Sequence, residues 1–238
     1  MTAAITCGPL ACNPACAADM IRSHFDMRDA TGRLLRIYTA QPVGDKPARG
    51  WPVVWLLDAN MTFTPAVEQK PQALLVGIGY PLQRQEDIVA QRYLDLTTPA
   101  AGENIPLRPG QPVPQTGGAA LYRRFILEQV QPTIAAHFPV DTNRQTLYGH
   151  SLGGLFVLDM LVHSRQSFQT YCAADPSIWW NGHEILPRLS EVSHAIGQAP
   201  VRVRISISGQ KAYPEGLTDA AMARIRRLRS GANGQTVY

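Results

Sequence analysis

Ten consecutive residues constrain this chain more than any others: Thr146-Leu147-Tyr148-Gly149-His150-Ser151-Leu152-Gly153-Gly154-Leu155. They fit G-x-S-x-G, with an apolar strand-like run before the pattern and an apolar helix-like run after it. A sharp strand-to-helix turn is the geometry that suits both halves. Such a turn leaves the serine hydroxyl exposed, and Gly149 and Gly153 let the two backbones cross where a Cβ would clash. A serine hydroxyl is a poor nucleophile at neutral pH until a base and oxyanion donors flank it. Ser151 is therefore the candidate nucleophile. Leu152, the first residue of the expected helix, points its amide toward the place where a carbonyl oxygen would become negative.

The rest of the chain supplies a sheet for that turn. Residues 23–27 and 34–39 read as an opening hairpin, with Ala30-Thr31-Gly32 as the turn. Residues 52–57 and 73–78 are continuous apolar runs of buried-strand length. About a dozen residues separate them, near the minimum for a parallel crossover, so the connecting helix must be short or irregular. Residues 80–118 carry many Pro, Gly and Gln and read as a long loop, a kind that is often functional. Residues 119–138 have helical periodicity, with Pro132 as a bending point. A strand at 145–148, a helix at 152–163, a strand at 168–174, a helix at 184–195, a strand at 201–208 and an Arg-rich helix at 219–229 follow. Residues 235–238 resemble the start of one more strand. Alternating strands and helices predict an α/β fold, with a mostly parallel central sheet covered on both faces. We expect a poorly defined segment at 1–20 and one domain over 21–238, with no internal repeat or linker.

Composition narrows the classes. The 238 residues suit one α/β domain, and no apolar run reaches transmembrane length, which predicts a soluble protein without a membrane partner. The net charge of +4 is small and scattered, which argues against nucleic acid and is compatible with a solvated basic surface or an anionic small substrate. Cys7, Cys12 and Cys16 lack C-x-x-C spacing and a nearby His, which argues against a zinc site; Cys172 reads as a buried strand residue. Pro9 and Pro14 interrupt the leading apolar run and no basic segment precedes it, so the expectation is a cytoplasmic protein, with a periplasmic one as the alternative.

Five spaced pieces carry a family resemblance. They are Leu56-Leu57-Asp58-Ala59-Asn60; Val76-Gly77-Ile78-Gly79-Tyr80-Pro81; Arg92-Tyr93-Leu94-Asp95-Leu96-Thr97; Gly117-Gly118-Ala119; and Gly149 to Phe156 followed by Asp175-Pro176-Ser177-Ile178-Trp179-Trp180. Together they make the chain similar to the α/β-hydrolase superfamily, and within it to the Putative esterase family that includes siderophore esterases of the ferric-enterobactin and salmochelin kind. Three features depart from that family's pattern. Ala59 stands where it usually has glycine, the crossover after Asn60 is short, and no His follows residues 235–238, where the family keeps its base. On that pattern the fold is C-terminally incomplete, without its last strand and helix.

The resemblance implies a serine hydrolase acting on carboxylic esters, most narrowly a trilactone catecholate siderophore, through an acyl-Ser151 intermediate. An amide of the Ala59–Asn60 loop would join Leu152 in the oxyanion hole. Arg92 would contact anionic or catecholate oxygens, or else pair with Asp95. Tyr93, His150, Trp179 and Trp180 are the other candidate substrate contacts; the Trp pair could equally be core, and His150 could instead pack into the sheet. Asp175 and Glu215 are the candidate acids, against readings as a turn residue and a solvated one. His163 lies three turns from Ser151, roughly 18 Å at 1.5 Å per residue, and is excluded as base. His24, His137 and His194 have no reason to converge on it, which leaves His183 as the one substitute, against the favoured reading of it as a surface or capping residue. No metal or cofactor is called for; any iron would arrive with a ferric siderophore. A catalytically impaired siderophore binder and a general carboxylesterase or S-formylglutathione-type hydrolase are the competing functions.

Overall fold

The computed structural model describes residues 19–107, 110–198, 200–208 and 218–229. The opening hairpin forms as expected and runs longer, β1 (Met20–Arg28) pairing antiparallel with β2 (Leu34–Pro42). Asp29 closes its turn by accepting from the amides of Thr31 at 2.8 Å and Arg33 at 3.0 Å. Next come β3 (Trp51–Leu56), α1 (Ala59–Glu68), β4 (Leu74–Gly79), α2 (Gln85–Asp95), α3 (Ala119–Phe125), α4 (Gln131–His137) and β5 (Val140–His150). The chain continues through α5 (Leu152–Ser164), β6 (Thr170–Ala174), α6 (Ile185–Gln198), β7 (Arg202–Ser206) and α7 (Asp219–Arg229). The seven strands make one sheet in the order β1-β2-β4-β3-β5-β6-β7. Neighbours from β4 to β7 are parallel, and antiparallel pairing is confined to the hairpin and its junction with β4.

Strand alternation builds two apolar layers. Ile37, Val53, Trp55, Val76, Ile78 and Leu147 face a large core completed by α2 to α6. Ala40, Leu56 and Leu75 face the other way, onto Phe63, Ala66 and Val67 of α1. Helix α5 is buried at every position from Leu152 to Leu161, which explains why its sequence is apolar all round rather than striped. Pro52 sits in an interior strand, where proline is unusual; the β3–β5 register shifts between Trp51 and Val53, and that irregularity accommodates its missing N–H.

Two departures from expectation have physical causes. The long loop at 80–118 contains α2, whose sequence hides its helix because only Ile88 and Asp95 are buried. Charge pairing anchors it in place of an apolar stripe. Arg33 Nη1 lies 2.6 Å from the fully buried carboxylate of Asp95, and Arg92 reaches Asp58. The helix at 119–138 is interrupted by a π-helical turn at Ile126–Val130, just before Pro132, whose missing N–H leaves the regular i→i−4 ladder incomplete there. Cys172 is buried on β6 and in no disulfide. The expected strand at 235–238, Glu215, and Cys7, Cys12 and Cys16 lie outside the described residues.

Removing one partner of a buried pair leaves an uncompensated charge. Arg33→Ala should therefore destabilise the fold by about 3 kcal/mol, whereas Arg124→Ala, which breaks the exposed Arg124–Glu128 pair, should change stability by less than about 0.5 kcal/mol. Urea unfolding of both variants tests the difference. A second test uses pH. His163 Nδ1 lies 3.2 Å from Asp159 Oδ1, and that interaction raises its pKa against the opposing effect of burial. Its contribution is fully present below the unfolded-state pKa and is lost as pH rises through the folded value. Stability should therefore fall as pH rises above the ordinary histidine value of 6.5, and His163→Gln should flatten that part of the profile.

Candidate active site

Parallel strands bring their carboxyl ends to one edge, the usual position of a site in an open α/β sheet. Here β3 ends at the Asp58–Asn60 turn, β4 at Tyr80, β5 at Ser151 and β6 at Asp175–Ser177. Ser151 has φ 58° and ψ −115°, an uncommon conformation for a residue with a side chain, and it is half-buried at the turn. The crossing is tight. A Cβ at Gly149 would lie 2.2 Å from the carbonyl oxygen of Gly153, so only glycine admits this elbow.

Two backbone bonds tie Ser151 to the next strand. Its amide donates to Ala174 O at 2.9 Å, and the Ser177 amide donates to Ser151 O at 3.0 Å. The Ser151 Oγ lies 3.2 Å from Ser177 Oγ. None of the six histidines hydrogen-bonds Ser151 among the described residues. Those of His137, His163 and His194 have other partners, Thr133 O, Asp159 O and the Gln198 amide. His24 packs on Tyr38. His183, the expected substitute base, has a buried Nε2 without a hydrogen-bond partner.

The two candidate oxyanion amides both lie at helix starts. Leu152 opens α5 and Asn60 lies in the first turn of α1. The first amides of a helix have no intrahelical acceptor, and neither of these finds another among the described residues. Asp58 adopts a left-handed conformation, φ 55° and ψ 45°, to make the turn. The Asn60 side chain then fixes it, its Nδ2 donating to Tyr80 O at 2.9 Å and its Oδ1 accepting from the Tyr80 amide at 2.8 Å. Gly79 leaves room for this bridge, since a Cβ there would lie 2.5 Å from Asn60 Oδ1.

The sequence of the chain matches the profile of the family described as Putative esterase over residues 29–208. The chain belongs to that family. It is 41% identical over 169 residues to the ferri-bacillibactin esterase BesA of Bacillus subtilis (strain 168), covering 66% of this chain and 58% of that relative. It is 35% identical over 188 residues to the siderophore enterobactin esterase of Emericella nidulans, covering 72% of this chain and 62% of the relative. The chain thus spans about three-fifths of the length of these relatives. The crystal structure of the BES protein from Bacillus cereus superposes with a TM-score of 0.72 at 29% identity, covering 87% of this chain and 81% of that one. The α/β-hydrolase fold expected from the motifs is present, with a mostly parallel sheet and helices on both sides.

Several site residues occupy unexpected places. Arg92 does not pair with Asp95. Its Nε and Nη2 donate to the two carboxylate oxygens of Asp58 at 2.7 and 2.9 Å. Burial disfavours the guanidinium charge, but Asp58 outweighs it and raises the Arg92 pKa. His150 does not pack into the sheet. Its side chain is 51% exposed and its Nε2 lies 3.8 Å from Asp175 Oδ2. Trp180 is wholly buried and donates to Thr98 O at 3.2 Å, which makes it core. Trp179 and Tyr93 are half-buried and pack against it at ring separations of 5.9 and 6.1 Å. Asp175 does stand at the carboxyl end of β6, at φ 41°, but its Oδ1 accepts from the Ser208 amide at 2.5 Å.

Sequence reasoning passed over Asp58 as the partner of Arg92 and Ser177 as the neighbour of the nucleophile. The strand order alone would have located Ser177, because the loop after β6 must flank the elbow after β5. The Arg92 pairing gives a test. Arg92→Lys keeps the charge but loses the two-point contact, so it should lower folding stability by about 2 kcal/mol in urea unfolding.

Proposed function

We propose that this chain is a serine hydrolase of carboxylic esters, with a siderophore ester as its substrate. The observation that carries the reading is the strained, half-buried Ser151 at the carboxyl edge of the sheet, with the unpartnered amides of Leu152 and Asn60 at adjacent helix starts. Ser151 Oγ attacks the ester carbonyl carbon, its proton passing to a base. The carbonyl oxygen becomes negative and is held by the two amides, each contributing about 3 kcal/mol of transition-state stabilisation. The carbonyl then re-forms, the bond to the leaving group breaks as the base returns the proton to the leaving-group oxygen, and water releases the acid from Ser151. Similarity to a ferri-bacillibactin esterase and a siderophore enterobactin esterase supports a catecholate trilactone as the ester, with iron arriving as part of the substrate.

A second reading has its own observation. No imidazole touches Ser151 among the described residues, which favours a protein that binds such a siderophore without turning it over. One experiment separates the two. The chain and its Ser151→Ala variant are incubated with a cyclic catecholate trilactone, with p-nitrophenyl acetate and with a fluorophosphonate. The hydrolase reading expects linearised trilactone by mass spectrometry and a phosphonylated Ser151, both lost in the variant. Saturable trilactone binding with no product and no adduct would replace it with the binder. Hydrolysis of p-nitrophenyl acetate with neither binding nor cleavage of the trilactone would keep the esterase and remove the siderophore.

A further inference from the structure

We infer that Ser177 is a positioning residue for the nucleophile, holding the Ser151 oxygen and turning its proton toward solvent. The inference rests on Ser151 being the nucleophile and adds a residue to that site. Ser177 is 3% exposed. Its backbone is fixed at both ends, its amide donating to Ser151 O and its carbonyl accepting from the Trp180 amide at 3.0 Å. Its hydroxyl lies 3.2 Å from Ser151 Oγ.

Burial sets the direction of that hydrogen bond. Leaving a buried hydroxyl proton without an acceptor is costly, and the acceptor found for Ser177 among the described residues is Ser151 Oγ. Half-buried Ser151 can place its own proton toward its exposed side, where water or a base can take it. Ser177 thus donates and Ser151 accepts. A serine hydroxyl is far too weak a base to remove the proton of Ser151 at neutral pH, so Ser177 does not act as a general base. It does two other things. It selects one rotamer of Ser151, keeping the oxygen aimed at the position of an ester carbonyl. It also stabilises negative charge on Oγ as the proton leaves, because a hydrogen bond to a charged acceptor is stronger than one to a neutral acceptor.

The second-order rate of fluorophosphonate labelling reads this without any particular ester. Ser177→Ala should lower the labelling rate about tenfold, the loss of about 1.4 kcal/mol at the transition state. The near-isosteric Ser177→Cys, with its weak donor, should fall between alanine and wild type. The change should lie in the maximal inactivation rate and not in the reagent concentration for half-maximal rate. Thermal unfolding of both variants should stay within a few degrees of wild type. Labelling of folded Ser177→Ala at the wild-type rate overturns the inference, as does a slowed rate that follows a matching loss of thermal stability in both variants. If the wild-type chain takes no label at Ser151, the nucleophile reading itself fails. If wild type labels and the variants match it, only the role of Ser177 fails.

Discussion

The two backbone hydrogen bonds between Ser151 and the end of β6 are the constraint on which the site depends. A residue with a side chain held at the φ and ψ of Ser151 costs about 1 to 3 kcal/mol. Two backbone hydrogen bonds return about 0.5 to 1.5 kcal/mol each. The two amounts are comparable, so the elbow persists only where β5 and β6 pair in the correct register. That register is set by the strands that lead into the elbow, through five consecutive parallel partners from Thr146–Thr170 to His150–Ala174. Pairing of β5 with β3 sets the other side, bringing Leu56 level with Tyr148 and the α1 start level with the elbow. The catalytic geometry is thus a property of sheet registry, and the loops inherit it.

What the sequence revealed follows the same division. The elbow and the succession of strands along the chain were legible because each is enforced by backbone geometry that leaves a local trace. Gly149 marks a crossing, continuous apolar runs mark interior strands, and helix starts announce themselves by their position after a strand. Helix α2 left no such trace. Its two buried residues include an aspartate, and its anchors, Arg33 and Asp58, lie 62 and 34 positions away from their partners Asp95 and Arg92 in the chain. Long-range charge pairing of this kind has no period, so pattern reading saw only a polar stretch. The misplacement of His150 has a related cause. Strand alternation puts it on the face of Tyr148, as expected, but alternation says nothing about how much cover that face receives at the last residue of a strand.

Arg92 shows how a residue can be noticed in the sequence while its permanent partner is missed. A motif places it near the nucleophile, and a cation near an ester invites the thought of substrate. The structure gives it a nearer anion. The Asp58 carboxylate stands 3.2 Å from where a Cβ on Gly153 would be, against the first turn of α5. A lone carboxylate there would oppose the chemistry. At an effective dielectric of 20, it would repel a developing unit charge on the order of 6 Å away by about 3 kcal/mol. That would cancel the benefit of one oxyanion donor, also about 3 kcal/mol. Asp58 is nevertheless well suited to its turn, because aspartate tolerates the left-handed conformation better than most residues. Two-point pairing with Arg92 reconciles these demands. It keeps Asp58 in the turn that aims the Asn60 amide, and it neutralises the charge that would otherwise face the oxyanion. In the proposed hydrolysis the arginine would serve the anion formed on the ester by occupying one that is permanent.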